Sequence, residues 1–397
     1  MLTVFRSNRA EWLAKLLAEE LRISPPELLE IIDVVVNTWP TSRWLAEEIA
    51  TINGISALIR FPFPRKYLRE IVQKSLNIEI SENDPWRSNQ LVWHIIDVLP
   101  DLLKRKEAKP LNDWLKIKRK HQEYLGKEEW QLAKKIANTF EEYDLYRPNI
   151  MLDWWNENLT NVNEKRSNPQ NKADWQGILL HLLKNRLNSE PFSIQVKRVV
   201  EMIKTKNIPN ISLPKKIYLF GINNLAPLQI ELIQALSGVT DIKIFLLTPC
   251  KDLWQRYANR RIQLEENLKK DQDKSFLLKS SNLESILGRT GSEFEQLLEG
   301  SGEYQLGEIE EEGIFAMPAN ISEEKGCKPT LLEQLQQKLV STQKEFKITK
   351  EPYDNSLTFI KCPGIIRELE IVRDQILQWL AEDDNLQPKD ILIMTPQ

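Results

Sequence analysis

The residues that could do chemistry lie at two turns, and at each of them part of that chemistry is missing. Asp33-Val34-Val35-Val36-Asn37 is a short β-branched run, read as a buried strand. It enters Thr38-Trp39-Pro40-Thr41-Ser42, whose hydroxyls are placed to cap a helix. Trp44, Leu45, Ile49 and Ile52 then recur at helical spacing, and Gly54 is placed to end that helix. A strand, turn and helix in this order can wrap a polyphosphate in backbone N–H groups when the turn reads G-x-x-x-x-G-K-[ST]. This turn contains neither glycine nor lysine.

The second turn follows Lys216-Ile217-Tyr218-Leu219-Phe220-Gly221, a strand ending in Ile222-Asn223-Asn224. A helicase-type hydrolase needs acids at such a strand end to hold Mg²⁺ and position the attacking water. No acid occurs from Tyr218 until Glu231, inside the next helix. The Gly126-Lys127 pair is followed by Glu128 in a helical context and does not supply the missing lysine. With both halves gone, the expectation is a nucleotide-site geometry that hydrolyses nothing.

The elements that position these turns follow from periodicity. Leu2 to Phe5 is a strand, and Ser7 is expected to cap a helix with Trp12, Leu13, Leu16, Leu17 and Leu21 on one face. Ala57-Leu58-Ile59 is another short strand, running into Phe61-Pro62-Phe63-Pro64, which cannot be helix. Helices are expected near 65–76, 86–105, 111–124, 127–145, 173–187 and 193–205, with a polar loop from Asn158 to Lys172. Trp86, Trp93, Trp114, Trp130, Trp154, Trp155 and Trp175 in that block are read as helix-packing rings before base-stacking ones. Strand periodicity returns at Lys216, followed by a helix from Leu225 to Leu236 and a strand from Ile242 to Leu247. A helix is expected from Trp254 to Lys270. Ser292 to Glu324 holds ten Glu and no Lys or Arg, read as a mobile acidic insertion. A helix near Leu331 to Gln343 precedes a last unit: strand Ser356 to Cys362, helix Ile365 to Ala381, strand Asp390 to Met394. The reading is an α/β domain interrupted by a helical insertion, followed by the start of a second α/β domain that continues beyond residue 397.

Composition narrows the function classes. A hydrophobic share of 41% and a charged share of 28% describe a globular chain with room for two or three domains. Net charge −3 gives no global attraction to nucleic acid, so such binding must come from local patches. Cys250, Cys327 and Cys362 lie far apart and suggest neither disulfides nor zinc, and His94, His121 and His181 are scattered. No apolar run approaches about 18 residues and the start lacks a signal-peptide core, so the expected location is cytoplasmic.

Further landmarks carry a resemblance. Ser7-Asn8-Arg9 after the first strand, Phe61-Pro62-Phe63-Pro64, Tyr146-Arg147-Pro148, and Phe220-Gly221-Ile222 before Leu225-Ala226-Pro227 resemble the RecC subunit family of exodeoxyribonuclease V. So do Thr248-Pro249-Cys250 with Trp254, and Arg367-Glu368-Leu369-Glu370 ahead of the Lys389-to-Met394 strand. The resemblance implies an inactive superfamily-1 helicase-like, P-loop NTPase-like parallel-sheet domain. Its first helicase domain would be 1–72 with 207–265, its helical insertion 73–206, an irregular acidic insertion with a helix 266–350, and the start of a second helicase domain 351–397. It also implies a heterotrimer with RecB-like and RecD-like subunits that splits duplex DNA ends and scans single-stranded DNA for a Chi-type hotspot. This chain would then carry no catalytic centre and no cofactor, ATP and Mg²⁺ binding to the partner subunits. The family's base-reading positions map onto Asn37, Trp39 and Arg43, then Phe63 and Arg69, then Asn138, Thr139, Glu141 and Arg147. Several depart from the family's glutamine, threonine and glutamine at the first three, so contact with single strands carries over better than the hotspot sequence.

Two basic clusters could meet phosphate. Arg60, Arg65, Lys66, Arg69 and Lys74, against Glu70, surround the aromatic–proline element, where rings could stack on unpaired bases. Lys104, Arg105, Lys106, Lys109, Lys116, Lys118, Arg119 and Lys120, against Glu107 and Asp113, form the denser run, although such runs are usually solvated helix faces. The competing readings are an active helicase or nuclease, and a protein-interaction scaffold without DNA contact.

Overall fold

The computed structural model describes residues 1–27, 30–79, 84–118, 126–156, 174–205, 213–250, 289–299, 309–341 and 348–395. The helix expected from Trp254 to Lys270, the polar loop 158–172, His121 and the basic residues Arg119 and Lys120 lie outside them. The chain divides into two compact units, Met1–Ala316 with Leu339–Ser341, and Met317–Lys338 with Thr342–Gln397.

The first unit is organised on a parallel sheet. Its strands are β1 (Leu2–Ser7), β2 (Ile32–Val35), β3 (Ile59–Arg60), β4 (Lys216–Phe220), β5 (Asp241–Leu247) and β6 (Ile309–Ile314), in the order β3-β2-β4-β5-β1-β6. Every pairing is parallel, with Val35 beside Leu219, Phe220 beside Phe245 and Phe5 beside Phe245. Helices α1 (Ala10–Ile23) and α2 (Trp39–Asn53) cover one face, where Leu13, Leu17, Leu45 and Ile49 meet Val34, Tyr218, Phe220 and Phe245. The opposite face takes α3 (Pro64–Ser75), α9 (Phe192–Lys204), α10 (Pro227–Ser237) and α11 (Arg289–Glu299). There Val72, Val196, Leu228, Ile233, Phe294 and Leu298 pack on Val35, Leu219, Ile242 and Ile244. Apolar residues on both sides of the central strands are what a parallel sheet buried on both faces requires.

Between α3 and α9 the chain forms a separate helical core. It is built from α4 (Ser88–Leu103), α5 (Lys109–Lys118), α6 (Lys127–Tyr146), α7 (Pro148–Asn156) and α8 (Asp174–Arg186). Leu91, Ile95, Leu99, Leu132, Ile136, Phe140, Met151, Leu179 and Leu183 fill it. As a packing unit this core runs from Trp86 to Leu187, because α9 buries Phe192, Val196 and Val199 against the sheet. Trp86 is buried in it, and Trp114, Trp154, Trp155 and Trp175 pack at its margin. Trp93 and Trp130 instead face solvent.

Three expectations need correction. The acidic stretch 292–324 contributes part of α11, the strand β6 and α12 (Pro318–Glu324). Its Ile309–Ile314 segment joins the sheet through a backbone ladder with β1, a bond that makes no demand on side-chain polarity. Ser7 does not cap α1: Arg9 is the residue before the helix, and the Ser7 hydroxyl accepts its backbone N–H at 3.0 Å. In the second unit, α13 (Leu331–Val340, all but its last two residues) and α14 (Ile365–Glu382) form where periodicity placed them. Segments 356–362 and 390–394 do not form strands, since neither has a ladder partner among the described residues. Ile365, Ile366, Leu369 and Trp379 of α14 remain exposed.

Candidate nucleic-acid interface

In a parallel sheet, ligands gather at the carboxyl ends of strands whose crossovers leave on opposite faces. Two ends qualify. β2 is followed by α2 on one face while its neighbour β4 is followed by α10 on the other. β1 is followed by α1, while α11, the next described helix after its neighbour β5, lies on the opposite face.

The β1 end is closed. Asn8 Nδ2 donates to the Ala316 carbonyl at 2.9 Å, and the Ala316 N–H donates to Asn8 Oδ1 at 2.8 Å. The Thr248 N–H donates to the Ser7 carbonyl at 2.9 Å, and Ser7, Thr248 and Ala316 are all buried. The sequence reading did not single out this end. Its only signal is Ser7-Asn8-Arg9, a first strand-to-helix turn that also lacks glycine and lysine.

The β2 end is open. Thr38 Oγ1 accepts the Thr41 N–H at 3.3 Å and Pro40 stands in the first turn, so α2 begins as the turn chemistry requires. Gly54 ends it at φ 80°, in the left-handed region. Asn37, Trp39 and Arg43 are exposed, and Trp39 retains 68% of its surface. The Val36 N–H donates to the Pro62 carbonyl at 3.1 Å, which holds the aromatic–proline element beside the strand end. Phe63 then meets Trp39 edge to face, centroids 5.6 Å apart and planes at 85°. The result is an aromatic platform at the strand end, with Phe63 also serving as the residue before α3.

The expected basic cluster is largely neutralised by acids. Arg60 donates to both carboxylate oxygens of Asp33, at 2.5 and 3.0 Å, and reaches Glu70 at 2.9 Å. These contacts, the Asp33 hydrogen bond first, push its pKa up. Arg65 pairs with Glu141, which also accepts the Ser88 N–H at 3.1 Å at the start of α4. Burial alone would raise the Glu141 carboxyl, but Ser88 and Arg65 outweigh it and hold the group below its ordinary range.

Arg69 departs from the expected role. It is buried, paired with Asp84, and lies over the Phe192 ring at 5.0 Å. Burial lowers its pKa to about 10. Next to it, Asp144 accepts the Ser193 N–H at 2.8 Å, and burial raises its carboxyl. Arg69 therefore fastens α3 inside the protein, with no surface left for a base.

The other candidates sit on α6. Asn138 is exposed, and the Thr139 hydroxyl donates to the Lys135 carbonyl at 3.0 Å. Arg147, exposed at the helix end, lies over the Tyr143 ring at 5.6 Å. The structure thus joins Trp39 to Phe63 and Arg65 to Glu141 and draws Arg69 inside. Among the described residues, no group of His, Cys, Asp and Glu could hold a metal ion. None of their helices is long and apolar enough to cross a membrane.

Residues 2–342 match the family model for the RecC N-terminal domain. The chain belongs to the RecC family. It is similar to the RecBCD enzyme subunit RecC of Haemophilus influenzae, 26% identical over 99% of this chain and 38% of the relative. The corresponding figures are 26%, 100% and 33% for that subunit of Mycolicibacterium smegmatis, and 25%, 99% and 37% for that of Escherichia coli. The chain therefore spans about a third of the length of these RecC relatives.

Proposed function

We propose that the chain is a non-catalytic, DNA-handling part of a RecBCD-type helicase–nuclease acting in recombinational repair of double-strand breaks. Its relatives are named as RecBCD enzyme subunits, which supports assembly with RecB-like and RecD-like chains; a cytoplasmic location belongs to the same proposal. The sheet order and its two crossover ends support descent from a superfamily-1 helicase domain. Neither end offers the glycine nest and lysine that a polyphosphate needs, and β4 ends without an acid. The purified chain should therefore show no DNA-stimulated ATP turnover, and turnover that persists through further purification would overturn this part.

The observation that carries the DNA reading is the exposed Trp39 held edge-on by Phe63, flanked by Asn37 and Arg43. Trp can stack on any base, Asn can pair with adenine and Arg with guanine, so this strand end can both hold and read a single strand. It is the part of the chain best suited to a Chi-type hotspot, with a preference altered from relatives that carry other side chains there. In the assembled complex, Trp39→Ala should weaken binding to all single strands by roughly 1–3 kcal/mol. Arg43→Ala should change the sequence selected from randomised strands. If both leave affinity and selection unchanged, the turn is structural and the strand path lies elsewhere.

A further inference from the structure

We infer that the arginines around the aromatic platform are its frame and not its phosphate contacts, with Arg60 as the positioning residue, so that the platform takes unpaired bases by their faces. This rests on the single-strand reading of the β2 end given above.

Arg60 stands at the last position of β3, immediately before Phe61-Pro62-Phe63-Pro64. Its bidentate contact to Asp33 ties it to β2, and its contact to Glu70 ties it to α3, the element that follows Phe63. A planar guanidinium with donors on three nitrogens can bridge two acids in this way; an ammonium cannot reproduce the fork. Both ends of the aromatic–proline element are therefore clamped by one side chain, and the Val36–Pro62 backbone bond holds its middle. Proline stiffness removes most of the remaining freedom. The edge-to-face angle between Phe63 and Trp39 is set by these three ties.

The charge balance supports the same conclusion. Arg60 faces Asp33 and Glu70, Arg65 faces Glu141, and Arg69 faces Asp84 and Asp144. Each guanidinium is already engaged by carboxylates fixed on neighbouring elements. Among the described residues, the exposed cations left within one helical turn of the rings along the chain are Arg43, one turn along α2 from Trp39, and Lys66, one turn into α3 from Phe63. Neither has an ion pair among the described residues. Each phosphate neutralised on a single strand contributes about 0.7 to the slope of log affinity against log salt. Two such cations give this site a slope of only about 1.4.

The test measures binding of a thymidine oligonucleotide to the full chain in its complex, across a salt series. Arg60→Ala should lower affinity roughly 5- to 100-fold, as loss of an ordered stacking platform would, with the salt slope unchanged. Arg60→Lys should lower it in the same direction, keeping the charge but not the fork. Glu70→Gln separates the two roles even if Arg60→Ala fails to fold. It frees part of the Arg60 charge, so a phosphate contact would bind more tightly, whereas a frame would bind more weakly. Adding Arg60→Ala to Trp39→Ala should cost nothing further. A slope reduced by about 0.7 in Arg60→Ala, tighter binding by Glu70→Gln, or additive losses in the double variant would overturn the inference. If neither Trp39→Ala nor Arg43→Ala changes binding or selection, the single-strand reading itself fails, and the two failures are distinguishable.

Discussion

The ends of β1 and β2 are built alike, yet one is closed and the other open. Both are parallel strands followed by helices on the same face, each beside a strand whose next described helix lies on the opposite face. At β1 the segment after β6 crosses the mouth, and Asn8 clasps its backbone through both halves of an amide. At β2 the neighbouring strand is only Ile59–Arg60, and the prolines that follow turn the chain alongside the mouth, leaving Trp39 in solvent. The topology supplies two crevices; whether one is open depends on what the adjacent segment does on leaving the sheet. One parallel sheet can thus carry one strand end that is sealed and another that is open.

Substitutions at the two ends can break or sharpen this contrast. The largest effect belongs to the frame behind the open end. Arg69→Ala leaves Asp84 and Asp144 without their buried cation and should destabilise the unit by about 3–5 kcal/mol in urea unfolding. A loss below about 1 kcal/mol would mean that α3 is held by its apolar face alone. At the closed end, Asn8→Ala removes two hydrogen bonds and strands the Ala316 N–H and carbonyl, an expected loss of about 2 kcal/mol. Single-strand affinity should not change in Asn8→Ala, and a change would show that the two ends are coupled. Thr38→Ala, which deletes the cap of α2 at the open end, should cost about 1 kcal/mol in thermal unfolding.

The smallest effect is a pH dependence at Glu141. Its folded pKa lies below the ordinary 4.5, so its contribution is present above that value and lost as pH falls through the folded pKa. Arg65 is partly exposed and the pair is screened, so about 0.5–1 kcal/mol is at stake. Glu141→Gln should flatten that part of the acid-induced fall in melting temperature. An unaltered acid profile would show that the Arg65–Glu141 tie adds no stability.

Much of the fold was legible because it is written in local spacing. The helices of the 64–204 block lie within a few residues of their periodic segments, since each buries a stripe that recurs every three or four positions. The start and stop of α2 follow from Thr38 and Gly54, whose effects are confined to one turn of backbone. No helix was expected where the short α7 forms, although proline at Pro148 is well suited to a first helical position.

The site was legible in part. Asn37, Trp39, Arg43 and Phe63 stand together at a strand end because strand, turn and proline signals already place them there. What the sequence by itself determined was therefore the repertoire: which segments are helices, where turns fall, and that the first turn lacks the glycines and lysine of a nucleotide site and the second its acids. Tertiary structure alone decided how the charges are spent. Arg60 meets Asp33 from 27 positions away and Arg65 meets Glu141 from 76, and no local pattern encodes such pairings. It also decided that the glutamate-rich Ile309–Ile314 becomes a strand, through main-chain bonds to β1, and that Asn8 closes one mouth by finding Ala316 across 308 positions. Backbone propensity acts over one or two turns, whereas ion pairs, ladder partners and clasps depend on which distant elements the packed cores bring within about 3 Å.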